Sequence, residues 1–197
     1  MKLYRPVTVL VGLLFVMLGG LTRLAEPEQV YDDSNRVVVK GTIGEELDFS
    51  GTTVTVHRMK FARAYLTGDR DEKAVTTNGI YVALEYSTVR GTQDPPNPSA
   101  ELITDDNTIY APIGETWGGR IDLAEPGFAI DGAVVFEVNP DDVKGLTLRV
   151  RSTPFFTVLT QDVSVDLGVP DDKVARQLMD QATPEYLIPR GVKRVAS

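Results

Sequence analysis

From residue 37 onward the chain alternates apolar and polar residues with a period of two, and clusters of turn-forming residues interrupt the alternation. That is the pattern of half-buried β-strands. IYVALEYST, residues 80–88, sets Ile80, Val82, Leu84 and Tyr86 on one face and Tyr81, Ala83, Glu85 and Ser87 on the other, expected to be solvated. LTLRVRS, 146–152, turns Leu146, Leu148 and Val150 inward and Thr147, Arg149 and Arg151 to water. AVVFEV, 133–138, does the same with Val134, Phe136 and Val138.

In TTVTVHRMKFARAYL, 52–66, the parity switches. Val54 and Val56 are even, whereas Met59, Phe61 and Tyr65 are odd. One extra residue in a strand turns every later side chain to the other face, so the switch predicts a bulge around His57-Arg58. PFFTVLTQDVSVDL, 154–167, shows a similar break. Shorter strands are expected in 36–40, 99–103, 107–111 and 116–122, with turns at GDRDEK, RGTQDPPNP, AEPGFAIDG and NPDDVKG. Many short strands without intervening helices predict an antiparallel β-sandwich.

One short helix is expected near the end of the chain. Asp171-Asp172 can cap VARQLMDQA, in which Val174 and Leu178, with Ala175 and Ala182, form a stripe, and Pro184 stops it. The tail beyond it, with Arg190, Lys193 and Arg194, is expected to be a solvated terminus.

Val7 to Leu21 carry no charge, and Lys2 and Arg5 precede them. The residues Pro6 to Thr22 span roughly 25 Å at about 1.5 Å per residue, and Arg23 can snorkel to extend the crossing. Cations before the run and Glu26, Glu28, Asp32 and Asp33 after it put the N-terminus in the cytoplasm and the remainder outside. Cleavage is disfavoured because a site after Ala25 has Arg23 at the third position upstream, and one after Gly20 has Leu18 there. The expected organisation is a signal-anchor over 1–25 that contacts membrane lipid through residues 6–24, a polar stalk over 26–36, a sandwich over 37–167 and a C-terminal helix and tail over 168–197.

Composition narrows the function classes. With 42% hydrophobic and 24% charged residues in 197, the chain is neither disordered nor collagen-like. The absence of cysteine excludes disulfides, thiol catalysis and cysteine-based zinc sites. Lys2, Arg5 and Arg23 flank the apolar run, and all 28 acidic residues lie from Glu26 on, so the exported part carries seventeen basic residues against 28 acidic, a net −11. Such a domain is repelled by phosphate backbones, and nucleic-acid binding is not expected.

The succession of KGTIGEELDFSGTTVTV, GIYVALEYSTV, DDNTIYAP, PGFAIDGAVVFEV and DDVKGLTLRV resembles the small exported Ig-like (telokin-like) domains of actinobacteria, many of them behind a single membrane anchor. The resemblance covers roughly residues 37–152 and implies an immunoglobulin-like antiparallel β-sandwich at the cell surface. It supplies no activity. The C-terminal extension, 168–197, departs from the simplest member of that family.

Candidate chemistry is sparse. His57 is the only histidine, so a triad would need it beside one of the scattered serines, and a histidine metal site lacks a second imidazole. The acidic pairs fail the EF-hand spacing, since Lys73 follows Asp69 at the fifth position and Ile109 follows Asp105 there. No cofactor or metal is expected. Trp117, beside Gly118-Gly119, and Pro95-Pro96 in the TQDPPNP loop are the residues expected to touch a partner. These features predict a non-enzymatic, membrane-anchored extracytoplasmic binding or accessory module for another envelope protein. The alternative is a secreted soluble Ig-like protein, its signal cleaved, that binds a small ligand or cation. An enzyme acting on envelope polymers would need converging carboxylates in a cleft.

Overall fold

The computed structural model describes residues 36–66, 73–93, 97–114, 121–153 and 160–196. The apolar run and the stalk up to residue 35 lie outside the described residues. Among the described residues no helix is long and apolar enough to cross a membrane.

Among the described residues, eleven strands form two sheets that face each other as a β-sandwich. They are β1 (Arg36–Thr42), β2 (Glu46–Phe49), β3 (Thr52–Leu66), β4 (Val75–Arg90), β5 (Asn97–Ile103), β6 (Ile109–Tyr110), β7 (Phe128–Val138), β8 (Thr147–Thr153), β9 (Thr160–Asp166), β10 (Tyr186–Leu187) and β11 (Val192–Val195). One sheet has the order β1-β9-β8-β5-β6; the other runs β10-β3-β4-β7-β11, with β2 also paired to β3. Two pairings are parallel, β1 with β9 and β10 with β3, so the sandwich is mostly but not wholly antiparallel.

The predicted inward residues meet between the sheets. Val54, Val56, Ile80, Val82, Leu84, Val134 and Phe136 from one sheet pack with Leu102, Leu148, Val150, Val163 and Val165 from the other. The register of β3 on β4 passes from Val56↔Tyr86 to Arg58↔Glu85, which makes His57 the extra residue of the expected bulge. The bulge keeps Phe61 in the same core as Val54.

Three expectations change. A second register shift, between Ala62 and Ala64, turns Tyr65 away from Phe61 and onto the outer face. There it meets the Tyr81 ring edge-on at 5.1 Å between centroids. Second, the outer face of β4 is not solvated along its whole length. Tyr81 and Ala83 are buried with Ala62, Tyr65, Val135 and Tyr186 in a second apolar cluster, flanked by Ile113 and Ile188. Third, Arg36, where the expected stalk and the expected strand over 36–40 overlap, is the first residue of β1. It donates to the buried Asp162 carboxylate at 2.9 and 3.0 Å, and the Ser152 amide donates to the same carboxylate at 3.1 Å. Residues 121–122 lie outside any strand, and 116–120 lie outside the described residues.

The helix forms as expected. α1 (Asp172–Asp180) starts at Asp171, whose carboxylate accepts from the Lys173 and Val174 amides, both at 2.9 Å. Ala175 is buried in the main core, with Val174, Leu178 and Met179 packed against it.

The tail is not a free terminus. Thr183 pairs with Ala62 and β10 with Tyr65–Leu66 along one edge of the sheet, while β11 pairs with Phe128–Asp131 along the opposite edge. Residues 183–196 therefore form a strap that caps both edges and crosses the outer face between them. Arg194 explains part of this placement. Its guanidinium forks onto the Asp131 carboxylate with donor distances of 3.1 and 3.3 Å.

A groove between sheet and strap

The strap leaves an open groove of about 540 Å³ on the outer face, lined by His57, Arg58, Glu85, Tyr86, Asp131, Gly132, Pro189, Arg190 and Val192. Sequence order explains the assembly. The bulge at His57 brings two successive side chains, His57 and Arg58, to the outer face, where a regular strand would bring one. Glu85 stands opposite Arg58 on β4, and Asp131 stands opposite Ser87 on β7. Gly132 forms part of the floor. A Cβ there would come within 2.9 Å of the Tyr86 hydroxyl, which accepts from the Asp122 amide at 2.9 Å. Burial pushes the Tyr86 phenol up to about 12, so it stays protonated in this bond at physiological pH.

Glu85 is the electrostatic centre of the groove. It accepts from Arg58 Nε at 2.8 Å, pairs with Lys60 Nζ at 2.6 Å and receives the Tyr186 hydroxyl at 3.3 Å. Burial alone would raise its pKa, but Lys60 and then Arg58 overcome that and hold it below the usual carboxylate range. Tyr186 moves the other way, raised first by burial and then by the Glu85 charge. The Lys60 ammonium also sits 5.5 Å from the centre of the Tyr186 ring, which ties strap to sheet.

His57 Nε2 and Ser87 Oγ are 2.8 Å apart. Sequence reasoning missed this pair because thirty residues separate its members and only the register of β3 on β4 joins them. Histidine and serine are two of the members that a hydrolytic triad uses. Among the described residues no carboxylate engages the second imidazole nitrogen. Ser87 is 5% exposed and lies mid-strand in β4, flanked by β3 and β7, so its neighbouring amides belong to the ladders and form no oxyanion hole. The pair works as a hydrogen bond that orients the imidazole.

A shallower hollow of about 310 Å³ lies between Pro140–Asp142 and α1, lined by Asp141, Lys144, Asp172 and Arg176 among others. Among the described residues no three His, Cys, Asp or Glu side chains stand close enough to hold a metal. Trp117, Pro95 and Pro96 lie outside the described residues. Strands flanking the proline loop do bracket it, since β4 finishes at Arg90 and β5 begins at Asn97.

No family model matches the chain. No curated protein matches it. Among solved structures, the yjhA protein from Bacillus subtilis is similar at 14% identity and a TM-score of 0.46, over 64% of this chain and 99% of that one. An uncharacterized beta-sandwich protein from Clostridium difficile 630 is similar at 12% identity and a TM-score of 0.39, over 72% of this chain and 99% of that one.

Proposed function

We propose that the chain is a non-enzymatic binding module: an Ig-like β-sandwich, held at the outer face of a membrane by residues 6–24, that presents its strapped outer face to another envelope component. The observation that carries this reading is the state of the carboxylates in the groove. A general acid requires a carboxylate whose pKa is raised. Glu85 is instead held ionised by Lys60 and Arg58, and Asp131 is forked by Arg194. Such groups hold side chains in place for recognition. The uncleaved signal-anchor rests on the charge pattern around Val7–Leu21, and the extracytoplasmic site on the acidic stretch that follows it. Kinship with the actinobacterial Ig-like (telokin-like) domains rests on the motifs between residues 37 and 152. Tethering would raise the effective concentration of a membrane-protein partner and make a modest contact sufficient.

A photo-crosslinking residue at Val192 in native cells, with one at Lys173 on α1 as control, tests the reading. The expected result is one envelope protein captured at Val192 and not at Lys173, on a chain whose residues 1–25 mass spectrometry finds intact. Equal capture at both positions, or none at Val192, overturns the binding face. A truncated chain recovered from the medium favours the secreted, ligand-binding alternative.

A further inference from the structure

The groove under the strap has a charge opposite to that of its domain. Three cations, Arg58, Lys60 and Arg194, line or border it, against two carboxylates, Glu85 and Asp131. Both carboxylates are already committed to those cations. Glu85 takes Arg58 and Lys60, and Asp131 takes Arg194. The exported part as a whole is at −11, so this excess of positive charge is local and stands out from its surroundings.

Arg58 is also open to solvent. The Arg58 side chain is 67% exposed, yet it is not loose, because Nε and Nη2 are spent on Glu85. The guanidinium has five N–H groups in a fixed fork, so its remaining donors are aimed without further ordering. His57 beside it is oriented through Nε2 by Ser87, and its other ring nitrogen has no partner among the described residues. At about 540 Å³ the space falls within the common range for small-ligand sites. An anionic macromolecule would meet the repulsion of the whole domain, whereas a small anion or a single headgroup meets mainly the local excess.

We infer that this groove is a binding site for a small oxyanion, a phosphate or carboxylate group seated on the outward donors of Arg58 with Arg190 and His57 beside it. The inference rests on the outer face being a binding face, but not on the anchor or on any protein partner. A free anion and the headgroup of an anionic lipid share this chemistry.

Because His57 is the only histidine, its ring protons give a single reporter resonance. The full chain in a neutral detergent is titrated with inorganic phosphate at constant ionic strength, chloride being the balancing anion. The expected result is a saturable shift of the His57 signals, with affinity reduced by about tenfold in Arg58→Gln, the scale of losing one charge-assisted hydrogen bond. Arg176→Gln, on α1, should leave the affinity unchanged. If Arg58→Gln disturbs the fold, seen in the core methyl signals, Arg190→Gln supplies the same comparison. A parallel arm uses phosphatidylcholine vesicles with and without phosphatidylglycerol. Broadening of the His57 signals by the anionic vesicles alone, again lost in Arg58→Gln, assigns the oxyanion to a lipid headgroup. A linear, unsaturated drift in both arms, or an affinity indifferent to Arg58 and Arg190, overturns the inference. Partner capture at Val192 alongside that result would leave the binding face standing without its anion.

Discussion

The strands β3, β4 and β7 carry an apolar layer on each side, and the two layers are built from different materials. The inner layer is assembled from strands of both sheets, each supplying alternate aliphatic residues, with Phe49 and Phe136 fully buried. The outer layer is a small cluster of tyrosines and alanines, closed from above by the strap at Tyr186 and Ile188. The first layer excludes water by mutual packing of two sheets. The second depends on one segment that is itself mostly exposed, with Val192 at 59% and Val195 at 72%. The two layers of one sheet should therefore differ in how far each is tied to global unfolding.

The largest effect is expected in the inner layer. Phe136→Ala should cost about 3–5 kcal/mol in denaturant unfolding, with all probes moving together. A loss confined to the outer face would mean that the layers are not independent in the way described. Outside both layers, Arg36→Met should cost about 3 kcal/mol, because the Asp162 carboxylate, which is 2% exposed, loses its close cation and keeps only Arg151 at 3.9 Å. Arg36→Met with Asp162→Asn should recover part of that loss, and no recovery would disprove the pairing as the cause. In the outer layer, Tyr186→Ala should cost about 2 kcal/mol, near the lower end for a large core truncation, because the strap can settle into the gap. Hydrogen exchange should then quicken in β10 and β11 while β8 and β9 stay protected. Uniform quickening would show that the strap is integral to the core.

The smallest effect is expected at Glu85. Glu85→Gln should cost about 1 kcal/mol at neutral pH, as befits a half-buried ion pair near the surface. Its pH dependence is the more telling measurement. The native pKa of Glu85 is lowered, so its contribution is fully present above the unfolded value of about 4.3. That contribution is lost as the pH falls through the lower native value. The wild type should thus lose stability over that acidic window relative to Glu85→Gln. Parallel pH profiles for the two would sink the assignment.

The inner layer was legible in the sequence because its signal is local. Period-two alternation named Ile80, Val82, Leu84, Val134 and Phe136, and a parity switch located the His57 bulge. The Asp171 cap and the α1 stripe were legible for the same reason. Tyr81 and Ala83 were misread as solvent-facing because their cover, Tyr186, comes about a hundred residues later, and periodicity carries no information about what lies above a face. Tyr65 changed sides at a second bulge that leaves no parity mark, as no apolar alternation follows it. The Arg36–Asp162 pair spans 126 positions, and nothing local in either residue announces the other. The basic residues of the tail are exposed as expected, but the tail is not free, and the counter-charge that Asp131 offers Arg194 has no local signal in the sequence. The expected partner contacts Trp117, Pro95 and Pro96 fall outside the described residues.

Residues 183–196 seal both margins of their sheet, and this sets the timing of folding. A chain emerging from its N-terminus presents β3, β4 and β7 well before it presents the segment that covers them. Until then the sheet has amides and carbonyls left unpaired at Ala62–Leu66 and Phe128–Asp131 and an uncovered patch of tyrosines, the features that invite pairing with a neighbouring molecule. Vectorial delivery across a membrane would prolong that interval. Docking of residues 183–196 is thus the step that converts an adhesive intermediate into a covered sheet.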